Sequence, residues 1–383
     1  MDYSKIYFDL KKHFPDLEIY QNHPLAPYTT LKIGGPADIF INSKTQEHFI
    51  SILKLVYHNL DQFGAVNSFS AHSERESAEA DEPEGSEHCK NSLTSHITIL
   101  GNGSNVLISD TGIRGLVVKN SSQDIKILKS CAPATFSPTY TQRMENEPEK
   151  YLDFSKVNYD ESHLPSRLVR LSSGTPLPLA INNLIEHGLT GLQWFAYIPG
   201  TIGGAVWYNI HGGSYHFADY IHSVNTFNLK TGKIKTFKKS NLKWQYEKSF
   251  FQQNPHLIIL SATLRLFKGD TNLAKKVVQA WISQKVKVQP MNSAGSAFAN
   301  PPLAICQKIW GEQKSAGWII DHELGLKGHA IGGAQTSPLH ANFIVNTGHA
   351  TAKDYLSLVR LIQSTCKQKF HFKLETEVKL LGI

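Results

Sequence analysis

Ser296 is the residue whose surroundings first suggest chemistry. It lies in the centre of the turn-rich segment 291–301, Met-Asn-Ser-Ala-Gly-Ser-Ala-Phe-Ala-Asn-Pro, where glycine and other small residues let the backbone approach a ligand closely. A hydroxyl group presented in this way can donate a proton. The segment alone is also consistent with an ordinary loop before a helix, so the rest of the chain must decide.

Two glycine-dense loops indicate a site for a large anionic ligand. The first joins two predicted strands, and its glycine corner exposes successive backbone N–H groups that form a concave anion site, although a plain hairpin explains it as well. It lacks the third glycine and the helix of a G-x-G-x-x-G fingerprint, so a Rossmann unit is not predicted. In the second loop a threonine can cap a helical turn. The residues are Gly101, Asn102, Gly103, Ser104 and Asn105 in the first loop and Pro199, Gly200, Thr201, Gly203 and Gly204 in the second. Together they favour a flat ligand with a pyrophosphate.

Predicted regular elements flank these loops. The apolar run 257–267 predicts a buried strand, and 272–285 predicts a helix just before the serine segment. Thr351 and Asp354 form a capping-box pattern ahead of a helix with one apolar face. The chain closes with a predicted strand over 374–380, whose alternation places Glu377 on a charged face that is typically solvated.

The length of 383 residues is too great for one hydrophobic core, and 41% hydrophobic and 19% charged residues are ordinary globular usage. We predict an α+β protein of three regions: 1–125 and 126–270 as two lobes, and 271–383 as a smaller C-terminal domain. The glycine-containing segment 268–272 marks the last boundary.

The net charge of +7 and the pI near 9.0 do not indicate nucleic acid, because the basic residues are scattered and form no stripe with aromatic residues. A preference for anionic small molecules fits equally well. The four cysteines lie far apart, which predicts neither a metal site nor a disulfide framework and favours a reducing compartment. No stretch is long and apolar enough to span a bilayer, so we expect a soluble, cytoplasmic protein.

The sequence predicts two polar surface insertions. Segment 68–90 carries seven acidic residues against Arg75 and Lys90 and almost no aliphatic side chains, so we expect it to be disordered. Segment 132–163 has a similar composition, but Tyr151, Leu152 and Phe154 can pack onto the body.

Seven motifs in order resemble the UDP-N-acetylenolpyruvoylglucosamine reductase family, the flavoenzymes of peptidoglycan precursor synthesis. The resemblance covers nearly the whole chain apart from the two insertions. The motifs are IGGPAD (33–38), LGNGSNVLISD (100–110), GLTGLQWFAYIPGTIGGAV (188–206), SAGSAFANP (293–301), AGWIID (316–321), LKGHAIGGAQTSPLHANFIVN (326–346) and LETEVKLLG (374–382).

The resemblance implies a two-lobed, PCMH-type FAD-binding region followed by a smaller α+β substrate domain, with the two glycine loops around the flavin. In the family NADPH reduces FAD, and the flavin then reduces the enolpyruvyl group of a UDP-sugar to give UDP-N-acetylmuramate. The developing negative charge requires a proton donor and groups that stabilise an enolate. By resemblance Ser296 is the proton donor and Glu377 the catalytic glutamate. Asn300 and, as a looser match, Lys287 correspond to positions that bind the substrate's diphosphate.

One departure from the family pattern bears on catalysis. The family carries a catalytic arginine in a Tyr-Arg-x-Ser segment, and Glu247 occupies that position here, with Lys248 next to it as a candidate replacement. An anion beside a substrate carboxylate would oppose the charge that develops. Smaller departures are Ala299, where a lysine is usual, and the sequence Asn-Ile-His-Gly-Gly-Ser at 209–214.

Three hypotheses follow. The chain is an active FAD-dependent reductase of the enolpyruvyl UDP-sugar, a related FAD-dependent sugar or alcohol oxidase, or a flavin-binding protein whose catalysis is impaired by Glu247. Retention of both Ser296 and Glu377 favours the first, because a binding module needs neither.

Overall fold

The computed structural model describes residues 3–58, 97–131, 159–213 and 215–383. The predicted insertion 68–90 and most of the predicted insertion 132–163 lie outside the described residues. The helices are α1 (Tyr3–His13), α2 (Gln46–His58), α3 (Leu177–Glu186), α4 (Ile202–Tyr208), α5 (Phe217–Tyr220), α6 (Thr271–Val288), α7 (Leu303–Trp310), α8 (Ala316–Trp318) and α9 (Ala352–Phe370). The strands are β1 (Glu18–Pro24), β2 (Pro36–Ser43), β3 (Ile97–Leu100), β4 (Val106–Ile108), β5 (Ile113–Asn120), β6 (Ile125–Cys131), β7 (Ser166–Ser172), β8 (His211–Gly212), β9 (Tyr215–His216), β10 (Ile221–Asn228), β11 (Lys233–Lys238), β12 (Trp244–Gln245), β13 (Lys248–Ser249), β14 (Leu257–Phe267), β15 (Ser293–Ser296), β16 (Ala330–Ile331), β17 (Ala334–Thr336), β18 (Phe343–Asn346) and β19 (Lys379–Leu381).

The N-terminal region is built on a mixed four-stranded sheet in the order β1-β2-β5-β3. Strand β1 runs antiparallel to β2, whereas β2 and β3 both run parallel to β5. Helix α2 buries Phe49, Ile52, Leu53 and Val56, whose spacing of three and four residues places them on one helical face. That face packs onto the sheet and forms the core of the region.

The second region contains an antiparallel five-stranded sheet in the order β11-β10-β14-β7-β6. Its central strand β14 has the predicted bounds, and nearly all of its side chains are buried. A continuous apolar run is expected for a strand that is covered on both faces. Helices α3, α4 and α6 contribute to the large core beside this sheet.

The C-terminal region has a small antiparallel sheet in the order β15-β18-β17-β16, covered by α9. The predicted capping box at the start of α9 is confirmed, since Thr351 and Asp354 exchange side-chain and backbone hydrogen bonds. The three main sheets fall in the three predicted regions, and the exact domain limits stay a prediction. In the part of the chain that is described, no helix is both long and apolar enough to cross a bilayer.

The end of the chain returns to the N-terminal region. Strand β19 pairs in parallel with β4, and the N–H of Lys379 donates to the carbonyl of Asn105 at 3.1 Å. The carboxylate of Asp110 accepts hydrogen bonds from the N–H groups of Ala352 and Lys353 at 2.7 and 3.0 Å, which caps α9. The strand predicted over 374–380 is therefore corrected to β19, preceded by an isolated bridge between Thr376 and Phe298.

Candidate active site

A cavity of about 2260 Å³ is lined by both glycine loops, by the serine segment and by Glu377. Ligand pockets usually measure roughly 300–1,000 Å³, so this cavity has room for more than one bound molecule. Residues distant in sequence meet here because β19 returns to β4, next to the first glycine loop.

The two glycine loops contact each other directly. The side-chain Nδ2 of Asn102 donates to the carbonyl oxygens of Gly200 and Pro199 at 3.3 and 3.4 Å. The predicted cap is confirmed, because the Thr201 hydroxyl accepts from the N–H of Gly204 at 3.3 Å at the start of α4. The loops therefore form one continuous wall of the cavity.

Glycine is required where the first loop approaches the N-terminal region. Gly103 has a φ of +59°, and a Cβ atom there would lie 2.2 Å from the carbonyl oxygen of Tyr28. A Cβ at Gly101 would lie 2.8 Å from the Thr201 hydroxyl. The half-buried Lys119 ammonium donates to the carbonyl of Gly101 at 2.9 Å, and partial burial lowers its pKa. A cradle that has no room for side chains fits a ligand held through backbone N–H groups, such as a pyrophosphate.

The serine segment and the end of the chain are held together by main-chain hydrogen bonds. The N–H of Glu377 donates to the carbonyl of Ala297 at 3.0 Å, and the N–H of Ala299 donates to the carbonyl of Glu375 at 2.9 Å. From the other side, the N–H of Ala297 donates to the carbonyl of Asn342 at 2.7 Å. Ser296 and Glu377 are thus brought together at the cavity wall, as the sequence predicted for the serine and the glutamate.

Glu377 lies in surroundings that favour a neutral carboxyl group. Burial and the nearby Glu247 raise its pKa well above the ordinary value. The Tyr208 hydroxyl donates to the main-chain carbonyl of Glu377 and also hydrogen-bonds Asn105 of the first glycine loop. Burial and the two glutamates raise the pKa of Tyr208, so its hydroxyl keeps its proton. The cavity wall that contains Ser296 therefore also carries a carboxyl group of raised pKa.

Glu247 occupies the second position of the two-residue turn between β12 and β13. Its φ of +52° is left-handed, which costs a residue with a side chain roughly 1–2 kcal/mol. The side chain of Gln252 donates to the carbonyl of Glu247 at 3.1 Å and holds the turn. Glu247 lines the cavity, and burial raises its pKa. The position expected to carry an arginine thus directs a carboxyl group toward Glu377.

His211 lies against this turn. Its ring stacks on the ring of Tyr246, with centroids 4.9 Å apart, and its Nε2 lies 2.9 Å from the Tyr246 hydroxyl and 3.4 Å from Oε1 of Glu247. Burial, His216 and the ammonium of Lys285 lower the pKa of His211 to about 4. The imidazole is therefore neutral at neutral pH.

Two predicted lysines do not reach the cavity, and this corrects the sequence analysis. Lys248 is exposed on β13, because neighbouring residues of a strand point to opposite faces and Ser249 takes the buried face. Lys287 is exposed near the end of α6, whereas Lys285, two residues earlier, lines the cavity. Asn300 does line the cavity, and its Oδ1 accepts from the N–H of Ala316 at 2.9 Å.

Sequence reasoning missed Tyr208, His211 and Lys285 as residues of the cavity wall. Tyr208 was predictable as a residue of the cavity wall, because it lies one helical turn beyond Gly204 of the second glycine loop in α4. His211 had been noted only as a departure from the family pattern. Lys285 carries no local signal that distinguishes it from Lys287.

Comparison with known proteins identifies the family. Residues 285–381 match the family model described as the UDP-N-acetylenolpyruvoylglucosamine reductase C-terminal domain. The enzyme of that name from Listeria welshimeri is 31% identical over 376 residues, covering 98% of this chain and 99% of the relative. One from Prochlorococcus marinus is 32% identical over 363 residues, covering 94% and 95%. The chain belongs to the UDP-N-acetylenolpyruvoylglucosamine reductase family.

A solved reductase supports the fold assignment. The crystal structure of the UDP-N-acetylenolpyruvylglucosamine reductase from Thermus caldophilus superposes with a TM-score of 0.61 at 26% identity, covering 95% of this chain and 98% of that one. The predictions of a PCMH-type α+β fold, of an oxidoreductase and of FAD and NADPH as cofactors are confirmed by this membership.

Proposed function

We propose that this chain reduces UDP-N-acetylenolpyruvoylglucosamine to UDP-N-acetylmuramate with NADPH, as a cytoplasmic step of peptidoglycan precursor synthesis. The observation that carries the proposal is the meeting of Ser296 and Glu377 on the wall that also contains both glycine loops. A simple nucleotide-binding protein has no need of a hydroxyl and a neutral carboxyl group at this position.

The fit of the cofactor rests on the glycine wall. The N–H groups of Gly101 to Asn105 would hold the pyrophosphate of FAD, since the first loop has no room for side chains at Gly101 and Gly103. The second loop would complete the wall without donating from Ile202, Gly203 and Gly204, whose N–H groups already donate within the protein. When bound, FAD supplies hydride transfer from NADPH to the enolpyruvyl double bond. Asn300 would contact the diphosphate of the UDP-sugar at the other side of the cavity.

Ser296 would supply the proton of the reaction. Hydride addition to the enolpyruvyl group leaves negative charge on the carbon next to the carboxylate, and this carbon needs a proton. A serine hydroxyl is a weak acid, so a neighbouring group must restore its proton. Glu377 is suited to this role because burial and the nearby Glu247 raise its pKa, which favours the protonated carboxyl group.

Anaerobic turnover tests the proposal. NADPH consumption is followed with and without the enolpyruvyl UDP-sugar, and the product is identified by mass spectrometry as the substrate plus two hydrogen atoms. We expect consumption only with the sugar. In a parallel aerobic assay, turnover of a sugar or alcohol without NADPH would instead identify an oxidase. A bound flavin that NADPH reduces without sugar turnover would identify a binding protein.

A further inference from the structure

His211, Tyr246 and Glu247 form a hydrogen-bonded chain at the cavity wall. The Tyr246 hydroxyl hydrogen-bonds the Glu247 carboxylate and also lies 2.9 Å from Nε2 of His211. When Glu247 is ionised it only accepts, so the one proton of the Tyr246 hydroxyl points to Glu247 and the ring proton of the neutral imidazole lies on Nε2 and points to the Tyr246 oxygen. The chain runs from His211 through Tyr246 to Glu247.

Two departures from the family pattern thus occur in one cluster. The arginine position is Glu247, and the histidine lies in the unusual segment 209–214, more than thirty residues earlier. Their side chains approach to 3.4 Å. Glu247 brings a carboxyl group to the cavity. His211 brings an imidazole that becomes the counter-ion of this carboxylate when it is protonated.

Lysines supply the permanent cations of the cavity wall. Among the described residues, Lys285, Lys327 and Lys379 line the cavity and no arginine does. Lys327 is paired with Asp321 at 2.8 Å. On the proposed function the substrate brings a carboxylate one bond from the carbon that Ser296 protonates, so a cation is needed close to Ser296 and Glu377.

We propose that His211 is the residue that meets the substrate's carboxylate, and that it takes up one proton from solvent when the substrate binds. Tyr246 and Glu247 position the ring, and the added proton occupies Nδ1. The pair of Glu247 and His211 then carries no net charge, where Glu247 alone would repel the substrate. This inference rests on the proposed function.

The surroundings of His211 are consistent with a change in its protonation when the substrate binds. Facing it are Tyr246 and Glu247 from the turn, His216 from β9 and Lys285 from α6, with Glu377 behind Glu247. In the free protein burial, His216 and the ammonium of Lys285 lower the pKa of His211 to about 4. An opposite charge within about 4–6 Å raises a pKa by roughly one to three. Near pH 6 a larger fraction of the imidazole is then protonated in the complex than in the free protein.

Calorimetry of substrate binding to the oxidised, FAD-loaded protein tests this without turnover. The sugar is titrated at about pH 6 in two buffers of different ionisation enthalpy, which gives the number of protons taken up. We expect a fraction of a proton, about half in the middle of the range of pKa shifts, falling toward zero near pH 9. His211→Gln should abolish the part of this proton uptake that His211 contributes, and it should weaken binding of the sugar about tenfold. The flavin spectrum and the reduction of the flavin by NADPH should be unchanged.

Two further variants make the result decisive. His222→Gln replaces another histidine of lowered pKa that lies outside the cavity, and it should leave uptake and affinity unchanged. In Glu247→Arg a fixed cation is present, so His211→Gln in that background should change affinity less than twofold. Equal proton uptake by the unmodified protein and His211→Gln would overturn the proposal while leaving the proposed function intact. Absence of sugar binding to the unmodified protein would overturn both.

Discussion

The main-chain N–H of Glu377 lies 3.0 Å from the carbonyl oxygen of Ala297, the residue that follows Ser296. This contact joins residues eighty positions apart, and it does not involve the side chain of Ser296 or of Glu377. Because the spacing is fixed by the backbone, replacing Ser296 or Glu377 should change the chemistry and leave the local fold intact. The pair therefore suits tests by substitution.

Replacement of Glu377 by glutamine should flatten the pH dependence of stability. Because the folded pKa of Glu377 is raised, the folded protein binds this proton more tightly than the unfolded chain does. The resulting stabilisation is fully present below about pH 4.5 and is lost as the pH rises through the raised pKa. Urea unfolding between about pH 5 and pH 8 should show a steeper decline for the unmodified protein than for Glu377→Gln. Identical slopes would mean that the carboxyl group is ionised in the folded state.

Glu247→Gly should stabilise the protein at the expense of its function. The substitution relieves a left-handed backbone and removes a half-buried carboxyl group that faces Glu377. Lys32→Gly is the matched control, since Lys32 has a φ of +55° and an exposed side chain. We expect thermal unfolding to show a larger gain for Glu247→Gly than for Lys32→Gly, with a difference of about 1 kcal/mol. A smaller gain at Glu247 would show that its carboxyl group stabilises the turn.

Gly103→Ala should release the flavin. The added Cβ meets the carbonyl oxygen of Tyr28, so the first glycine loop has to move. Gly325→Ala is the control, because Gly325 has a similar φ of +64° and no atom within 4 Å of the added Cβ. The ratio of flavin to protein absorbance after gel filtration should fall for Gly103→Ala and remain unchanged for Gly325→Ala. Equal flavin content would place the cofactor elsewhere.

Asp110→Ala should weaken substrate binding as well as stability. Asp110 ends the segment that carries the first glycine loop, and it caps α9 of the C-terminal region. Asp270 caps α6 in the same way, through the N–H groups of Asn272 and Leu273, but within one stretch of chain. Loss of either cap should cost about 1 kcal/mol in unfolding experiments. Only Asp110→Ala should also raise the KM for the UDP-sugar, and an equal rise in Asp270→Ala would contradict this role.

Elements with a strong local pattern were predictable from sequence. Strand β14 is one continuous apolar run, and the capping box of Thr351 and Asp354 uses residues three positions apart. The glycine loops were predictable because few other residues allow the backbone to approach so closely. In each case the physical cause lies within a short segment.

The remaining features depend on contacts between distant segments. Alternation along the last strand indicated a solvated face, yet Glu377 lines the cavity because β19 pairs with β4. The meeting of His211 with Glu247 depends on a left-handed turn at a glutamate, which its residue type does not favour. The choice between Lys285 and Lys287 depends on how α6 is rotated against the cavity.

The most direct test of the account is single-turnover reoxidation by the enolpyruvyl UDP-sugar after anaerobic reduction with one equivalent of NADPH. The flavin absorbance should return rapidly in the unmodified protein. In Ser296→Ala its reduction by NADPH should be unchanged, and its reoxidation by the sugar should be slower by about 10²–10⁴-fold. Equal reoxidation rates in the two proteins would contradict the assignment of Ser296 as the proton donor beside Glu377.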